Sequence, residues 1–238
     1  MRSAIPHLSI VVPVLNEAAN IPALTNEIAS ALDGSTIRWE LIIVDDDSRD
    51  GTLEICEKLR RRELPLRLLV RHHHRGLATA VVHGLKYASA PVLLVMDGDL
   101  SHPPASIPAF YGAIRGGFDF VVGSRYISGG GTDDRWTVYR YLNSKLACLL
   151  ARPLTAISDP MTGFFAMPRR VWARCKGLEP IGYKIGLEII VKGRPESIRE
   201  LPIHFSTRIH GDSKLTLTQQ WFYLVQLAGL YRYWWFTR

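Results

Sequence analysis

Three short motifs carry the side chains that can do chemistry. Asp97-Gly98-Asp99 follows directly on the apolar run Val92–Met96. Residues i and i+2 of an extended chain project to the same side, so the two carboxylates converge. They do so at the carboxyl end of a strand, where open α/β sheets place ligands. Such a pair can hold Mg2+ or Mn2+, ions that prefer oxygen ligands and share coordination with phosphates. Asp-Gly is also ordinary turn chemistry, so the pair alone decides little. Asp45-Asp46-Asp47 ends a second apolar run, Leu41–Val44. Three adjacent acids repel one another unless donors or a cation hold them. Asp45 or Asp47 suits a turn or helix cap, which leaves Asp46 for a nucleobase or ribose. Asn16-Glu17 follows a third run, Leu8–Val14. Polar groups at three successive strand ends point to one shared site. Neither GxGxxG nor GxxxxGK[ST] occurs, so dinucleotide and NTPase readings lose support.

The motifs need strands and helices to position them. Leu8–Val14, Leu41–Val44, Leu66–Val70, Val92–Met96 and Phe118–Val122 read as strands apolar on both faces, as in the middle of a parallel sheet. Helix candidates lie between them, over Ala18–Leu32, Thr52–Arg61, Leu77–Ala88 and Pro104–Ile114. This alternation predicts an α/β fold with a doubly wound, mostly parallel sheet. After Arg125 the pattern changes. Gly129-Gly130-Gly131 mark a loop, Trp136–Leu150 reads as a helix, and Thr162–Met167 and Ile198–Phe205 are weaker strands. Residues 1–214 are expected to form one α/β domain, with 215–238 as an aromatic tail forming an amphipathic C-terminal helix.

The 238 residues are 47% apolar and 21% charged, ordinary for a globular protein. The net charge of +7 suits an anionic partner, such as a nucleotide, a phospholipid surface or nucleic acid, or serves solubility alone. No nucleic-acid-binding motif accompanies it, and no nucleic-acid partner is expected. The 3 cysteines form no CxxC pair, which points away from disulfides and zinc and towards a reducing compartment. The N-terminal apolar run, broken by Pro13 and followed by Glu17, reads as a strand rather than a signal peptide. No run reaches the roughly 18 apolar residues of a membrane span. His72-His73-His74 alternate in direction at a strand end, so they do not readily converge on one ion and read as a solvated strand end.

Taken in order, Val12-Pro13-Val14-Leu15-Asn16-Glu17, the stretch Val44–Thr52 and Asp97-Gly98-Asp99-Leu100-Ser101-His102-Pro103-Pro104 resemble the family 2 glycosyltransferases. Asp159-Pro160-Met161-Thr162-Gly163-Phe164 and Gly211-Asp212-Ser213-Lys214-Leu215 are similar to the dolichyl- or polyprenyl-phosphate mannosyltransferase branch. The resemblance implies a GT-A fold, a divalent Mg2+ or Mn2+, and a nucleotide diphosphate sugar donor, GDP-mannose or UDP-glucose. It implies inversion at the anomeric carbon and a polyprenyl or dolichyl phosphate acceptor. By position, Pro13, Leu15, Glu17 and Asp46 fall at the nucleotide, and Asp97 and Asp99 at the metal and donor diphosphate. Arg125, Arg140 and Ser144 fall at the acceptor phosphate, and Arg208, Ser213 and Lys214 on a late loop that closes over the site. The sequence departs from the family in three places. Leu15 stands where Tyr is frequent, Ser101 where many members use Gln as a further metal ligand, and Arg75 where an apolar residue is common. Arg75 either contacts the diphosphate or faces solvent, the latter being slightly favoured.

Such an acceptor explains why arginines dominate the second half. A phosphate monoester is already anionic at neutral pH, its second pKa being about 6, so no base is required. Arginines hold its oxygens through charge-assisted contacts. Asp159 either orients an arginine or the acceptor, or caps the turn before Thr162–Met167. His102 and His210 either contact phosphate or fill loops. Trp and Tyr favour the membrane interface, so the tail, with Trp221, Tyr223, Trp234 and Trp235, is expected to lie on a membrane surface. The expected location is peripheral, on the cytoplasmic face. Two alternatives remain at this level: a saccharide or other hydroxyl acceptor, and an inactive nucleotide-sugar-binding module.

Overall fold

The structure is a computed structural model that describes residues 5–61, 64–133, 138–206 and 217–237; of 138–140 and 217 only the backbone is described. Seven strands form one sheet in the order β3-β2-β1-β4-β7-β5-β8. They are β1 (Leu8–Val14), β2 (Trp39–Asp45), β3 (Leu66–Val70), β4 (Val92–Val95), β5 (Phe120–Ser124), β7 (Phe165–Pro168) and β8 (Ile198–Pro202). Only β7 runs antiparallel to its neighbours β4 and β5; the remaining pairs are parallel. A small parallel ladder, β6 (Gly131–Thr132) with β9 (His204–Phe205), lies apart from the sheet.

Every residue of β1 is buried, and its side chains alternate between two cores. Leu8, Ile10 and Val12 join Leu24 and Ile28 of α1 (Ile21–Leu32), Leu59 of α2 (Thr52–Arg60) and Phe110 of α4 (Ile107–Arg115). Val11 joins Val81 and Leu85 of α3 (Leu77–Tyr87), Val171 of α6 (Arg169–Arg174) and Ile189 of α7 (Ile185–Gly193). Helices thus cover both faces, as the apolar strand runs require. A third core joins Cys148 and Ala151 of α5 (Val138–Ala151) to Leu187 and Val191 of α7 and to Tyr223, Leu227 and Leu230 of α8 (Leu217–Thr237).

Several expected boundaries move, each for a local reason. Helix α1 starts at Ile21 rather than Ala18, because residues 18–20 form a turn in which Asn20 N–H donates to Glu17 O (2.9 Å), a turn that Glu17 N–H and Ala18 N–H tie to Thr52 Oγ1 (3.1 Å) and Asp50 Oδ2 (2.9 Å). The strand expected from Thr162 starts at Phe165, since Thr162 Oγ1 instead accepts the Phe164 N–H (3.1 Å). The strand expected over Ile198–Phe205 is two strands, divided at buried Ile203, whose N–H donates to Ser124 O (3.1 Å). Helix α7 carries no periodic signature in the sequence because all nine of its residues are buried, its Glu188–Lys192 pair included, so no polar face marks it. The C-terminal helix is present, but both its faces are apolar. Tyr223, Leu227 and Leu230 pack inward, whereas Trp221 (64% exposed) and Trp235 (76%) face out.

Helix α3 crosses β1 and β2 so closely that Gly84 has no room for a methyl group. A Cβ there would overlap Val11 Cγ1 and lie 2.9 Å from Val44 Cγ2. Gly84→Ala is expected to lower stability by about 1–3 kcal/mol through overpacking. Gly112→Ala, in α4 with nothing within 4 Å, is expected to raise it by about 0.5–1 kcal/mol through helix propensity. Urea denaturation midpoints of the two variants check this opposition of sign.

Candidate active site

A cavity of about 730 Å³ opens where β1, β2 and β4 end, and Pro13, Leu15, Glu17, Asp46, Asp97, Asp99, Arg125 and Ser144 all line it. It therefore gathers most of the side chains that the sequence singles out. The loops after β1 and β2 are locked together. Asn16 N–H donates to Ser48 Oγ (2.7 Å) and Arg49 N–H to Asn16 Oδ1 (2.9 Å), while Asp50 accepts the amides of Ala18 and Thr52. Asn16 and Asp47 take left-handed backbone angles, φ 57° and 64°, a conformation that Asn and Asp tolerate best among residues with side chains. Burial works against ionised Asp50, yet the bonds from Thr52 and Ala18 hold its carboxyl below the usual range.

The three adjacent acids divide their work. Asp45 Oδ2 accepts the Ser48 N–H (2.9 Å) and shapes the turn. Asp47 sits at the surface, where Arg49 and then His72 hold its carboxyl below the usual range. It also pairs with Arg75, a half-exposed side chain on the cavity lining. Asp46 is 3% exposed. Its Oδ2 accepts the Gly76 N–H (2.7 Å), and Arg71 Nε lies 3.4 Å from Oδ1. Oδ1 is buried without a hydrogen bond among the described residues. Burial pushes the carboxyl up, more strongly than Gly76 and Arg71 pull it down. An enclosed acceptor of this kind suits an N–H donor from a base or an O–H from a ribose.

The carboxylate pair after β4 is held from both sides. Asp97 N–H donates to His102 Nδ1 (3.0 Å). Asp99 Oδ1 accepts both the N–H (3.1 Å) and the hydroxyl (2.6 Å) of Ser101. Ser101 is fully buried, so its hydroxyl supports Asp99 in this structure instead of facing the cavity as a ligand. Glycines are required on two sides. A Cβ on Gly98 would lie 2.9 Å from Val14 Cγ1, and one on Gly163 would lie 3.1 Å from Asp97 Oδ1. The space that Gly163 leaves beside Asp97, with Asp99 on the same lining, is a fit for a divalent ion. Among the described residues no group of three or more His, Cys, Asp and Glu is placed to hold one. An ion here would thus rest on two carboxylates, with water or phosphate oxygens completing its shell. His102 stacks 5.2 Å from Phe164. Burial lowers its pKa despite Asp97 and Asp99, so the neutral ring accepts through Nδ1 and carries its proton on Nε2. His72, His73 and His74 are all exposed.

Arg125 follows β5, and its side chain is only 8% exposed. Its Nε donates to Asp159 Oδ2 and its Nη2 to Asp159 Oδ1, both at 2.7 Å, and its backbone N–H also donates to Oδ2 (3.1 Å). Asp159 is fully buried; burial opposes its charge, but Arg125 holds the carboxyl below its usual range. Of its two expected roles, Asp159 therefore takes the first and orients an arginine. Glu200 of β8 fixes this loop by accepting the amides of Ser158 (2.9 Å) and Asp159 (3.3 Å). Ser144 of α5 accepts the Tyr126 hydroxyl (2.8 Å). The Arg140 side chain, His210 and the late-loop residues Arg208, Ser213 and Lys214 lie outside the described residues.

Lys184 lines the cavity as well, and the motifs do not reveal it. Its Nζ donates to Met161 O (2.6 Å). The residue keeps some accessible surface, but protein atoms enclose the ammonium. That burial, with Arg125, lowers its pKa to about 8 against the pull of Asp159 and Asp97. The one signal in the sequence is a lone cation, Gly182-Tyr183-Lys184, directly before an apolar run.

Known proteins place this arrangement. Residues 9–175 fit the family described as Glycosyl transferase family 2. A dolichol-phosphate mannosyltransferase of Pyrococcus furiosus is 40% identical over 87% of this chain, which spans 59% of that protein. Proteins of the same name from Mycosarcoma maydis and Saccharomyces cerevisiae are 38% and 36% identical, over 97% and 94% of this chain and 81% and 86% of theirs. The fold is shared with glucosyl-3-phosphoglycerate synthase of Mycobacterium tuberculosis, crystallised with Mn2+, UDP and glucosyl-3-phosphoglycerate. That match has a TM-score of 0.65 and 22% identity, and covers 95% of this chain and 78% of the other. The doubly wound sheet is thus the GT-A-type sheet expected, and the chain, similar over most of its length to these dolichol-phosphate mannosyltransferases, belongs to the family 2 glycosyltransferases.

Proposed function

We propose that this chain transfers one mannosyl residue, with inversion, from a nucleotide diphosphate donor to a polyprenyl phosphate. The observation that carries the reading is one cavity lined both by Asp97 and Asp99 and by an arginine locked on a buried aspartate, with Ser144 beside it. The sugar follows the names of the relatives, and GDP-mannose is the donor that fits it, ahead of UDP-glucose. Pro13, Leu15, Glu17 and Asp46 receive the nucleoside. Arg125 and Ser144 receive the acceptor phosphate.

An acceptor phosphate oxygen attacks the anomeric carbon. A new carbon–oxygen bond forms as the bond to the donor diphosphate breaks, and the electron pair leaves with the nucleoside diphosphate. No proton has to move, because the nucleophile is already an anion. Asp97 and Asp99 would hold Mg2+ or Mn2+, which when bound neutralises charge on the leaving diphosphate. Asp159 keeps the Arg125 fork fixed, so little side-chain entropy is lost on binding.

The reading extends to a membrane surface on its cytoplasmic side. Among the described residues no helix is long and apolar enough to cross a membrane. Helix α8 is instead anchored along α5, with Tyr223 OH donating to Ala147 O and Tyr231 OH to Leu150 O, both at 2.6 Å. The outer faces of these two helices expose Leu142, Leu146 and Leu149 of α5 and Trp221, Leu224 and Trp235 of α8. Exposed apolar area on this scale marks an interaction surface, and interfacial Trp suits the headgroup level where a lipid phosphate resides.

Three outcomes test the reading. Incubation with GDP-mannose, Mn2+ and a polyprenyl phosphate yields a lipid-soluble mannosyl product. Asp97→Asn or Asp99→Asn lowers its formation by roughly 10²–10³-fold with melting unchanged, and full activity in excess EDTA refutes the metal. Arg125→Lys keeps the charge but loses the fork. It cuts transfer about ten- to hundredfold and leaves nucleotide affinity, read by calorimetry, within twofold; lost nucleotide affinity would move Arg125 to the donor. Replacing Trp221, Leu224 and Val225 together with Ser spares the inward face of α8. It reduces sedimentation with anionic liposomes and slows transfer to long-chain lipid more than to a short soluble phosphate. Unchanged sedimentation refutes the surface.

A further inference from the structure

Among the described cations that line the cavity, Arg125 is matched by the buried Asp159 and Arg75 by Asp47. A phosphate monoester brings up to two further negative charges. Among the described residues, Lys184 is the lining cation with neither a hydrogen bond nor an ion pair to a carboxylate. Its ammonium has three donors, and the Met161 carbonyl takes one. The Tyr183 ring lies 4.2 Å away.

Lys192 shows how the same region neutralises a lysine that serves packing alone. It is 8% exposed, pairs with Glu188 Oε1 at 2.8 Å and also donates to Gly177 O. Lys184 has no such partner. It is also the residue that caps the N-terminus of α7, where the helix dipole opposes a positive side chain. An enclosed cation in that position is unfavourable unless an anion joins it.

We infer that the Lys184 ammonium binds the acceptor phosphate together with Arg125 and supplies the net positive charge that the Arg125–Asp159 pair lacks. This rests on the transfer reading above and names a contact for its acceptor. The groups facing Lys184 are Arg125 after β5, Asp159 and the Met161 carbonyl before β7, Asp97 after β4 and the Cys148 thiol of α5. Helix α8 contributes the neutral Gln226, whose amide donates to Lys184 O (3.3 Å). With a pKa of about 8, free Lys184 is charged below pH 8 and loses its proton above it. Phosphate affinity should therefore decline as pH rises through 8.

The test is calorimetry with two probes, farnesyl phosphate and GDP with Mn2+, on the whole chain, Lys184→Met and Lys184→Arg. For Lys184→Met the expected result is a ten- to hundredfold loss of farnesyl phosphate affinity, GDP affinity within twofold, and a melting temperature equal to or above wild type. Lys184→Arg keeps most of the affinity and no longer loses it between pH 7 and 9.5, since guanidinium does not titrate there. Unchanged farnesyl phosphate affinity in Lys184→Met, or a loss that falls on GDP, overturns the inference. Wild type that binds farnesyl phosphate through Lys184 but forms no mannosyl lipid leaves this contact standing and removes the transfer reading. Wild type that does not bind farnesyl phosphate removes both.

Discussion

The Arg125–Asp159 pair is the interaction on which the second half of the site depends. Both side chains are buried, and a buried charge survives only when its partner is held in good geometry. Here the geometry is bidentate, with an additional bond from the Arg125 backbone to the same carboxylate. Three segments are tied by it: the end of β5, the loop before β7 and, through Glu200, strand β8. The antiparallel insertion of β7 between β4 and β5 is what allows this. It brings the loop carrying Asp159, Met161 and Gly163 back towards the end of β4, where Gly163 meets Asp97. One reversed strand thereby joins a carboxylate half and a cationic half into one cavity.

The carboxylate half was legible in the sequence because its signals are local. Asp97 and Asp99, Asp46, and Glu17 each follow an apolar run, and strand ends on one edge of a parallel sheet face the same crevice. The triple acid also divides as turn chemistry suggests, with Asp45 in the turn and Asp46 turned to the cavity. The cationic half was less legible. Motif resemblance marks Arg125, but its pairing with Asp159 in particular follows from the reversal of β7. Asp159 is 34 residues from Arg125 in the chain, and no periodicity encodes such a contact. Lys184 was hidden for the opposite reason. Its neighbours on α7 are so uniformly buried that neither the helix nor the cation before it carries a pattern. The position of Ser101 likewise depends on packing. A hydroxyl can be ligand or support, and only its full burial against Asp99 separates the two.

The arrangement also accounts for the scarcity of acid–base machinery. The histidine nearest the carboxylates, His102, is neutral and spends Nδ1 on the Asp97 amide, which makes it part of the scaffold. A hydroxyl nucleophile would require a base poised near neutral pH, whereas a phosphate nucleophile requires cations that remain charged. On the proposed reading Arg125 would meet that need at any physiological pH, and Lys184 would do so up to about 8. The design problem shifts from proton transfer to charge placement. That explains why the side chains lining the cavity are fixed by so many bonds from backbone amides.

Charge placement in turn constrains where the molecule can work. On the proposed reading the acceptor is a lipid phosphate that stays at headgroup depth, so the cationic half of the cavity would have to come to the membrane instead of the reverse. Ser144 and Ala147 line the cavity, and they lie on α5 beside Leu142, Leu146 and Leu149, which are exposed. Helix α8 braces α5 from behind through Tyr223 and Tyr231. The helix that lines the cavity through Ser144 and Ala147 is therefore also the helix that presents leucines outward. On the proposed reading, a surface that seats α5 at the interface would by the same motion bring Ser144 and Arg125 to the headgroup, which couples acceptor access to docking.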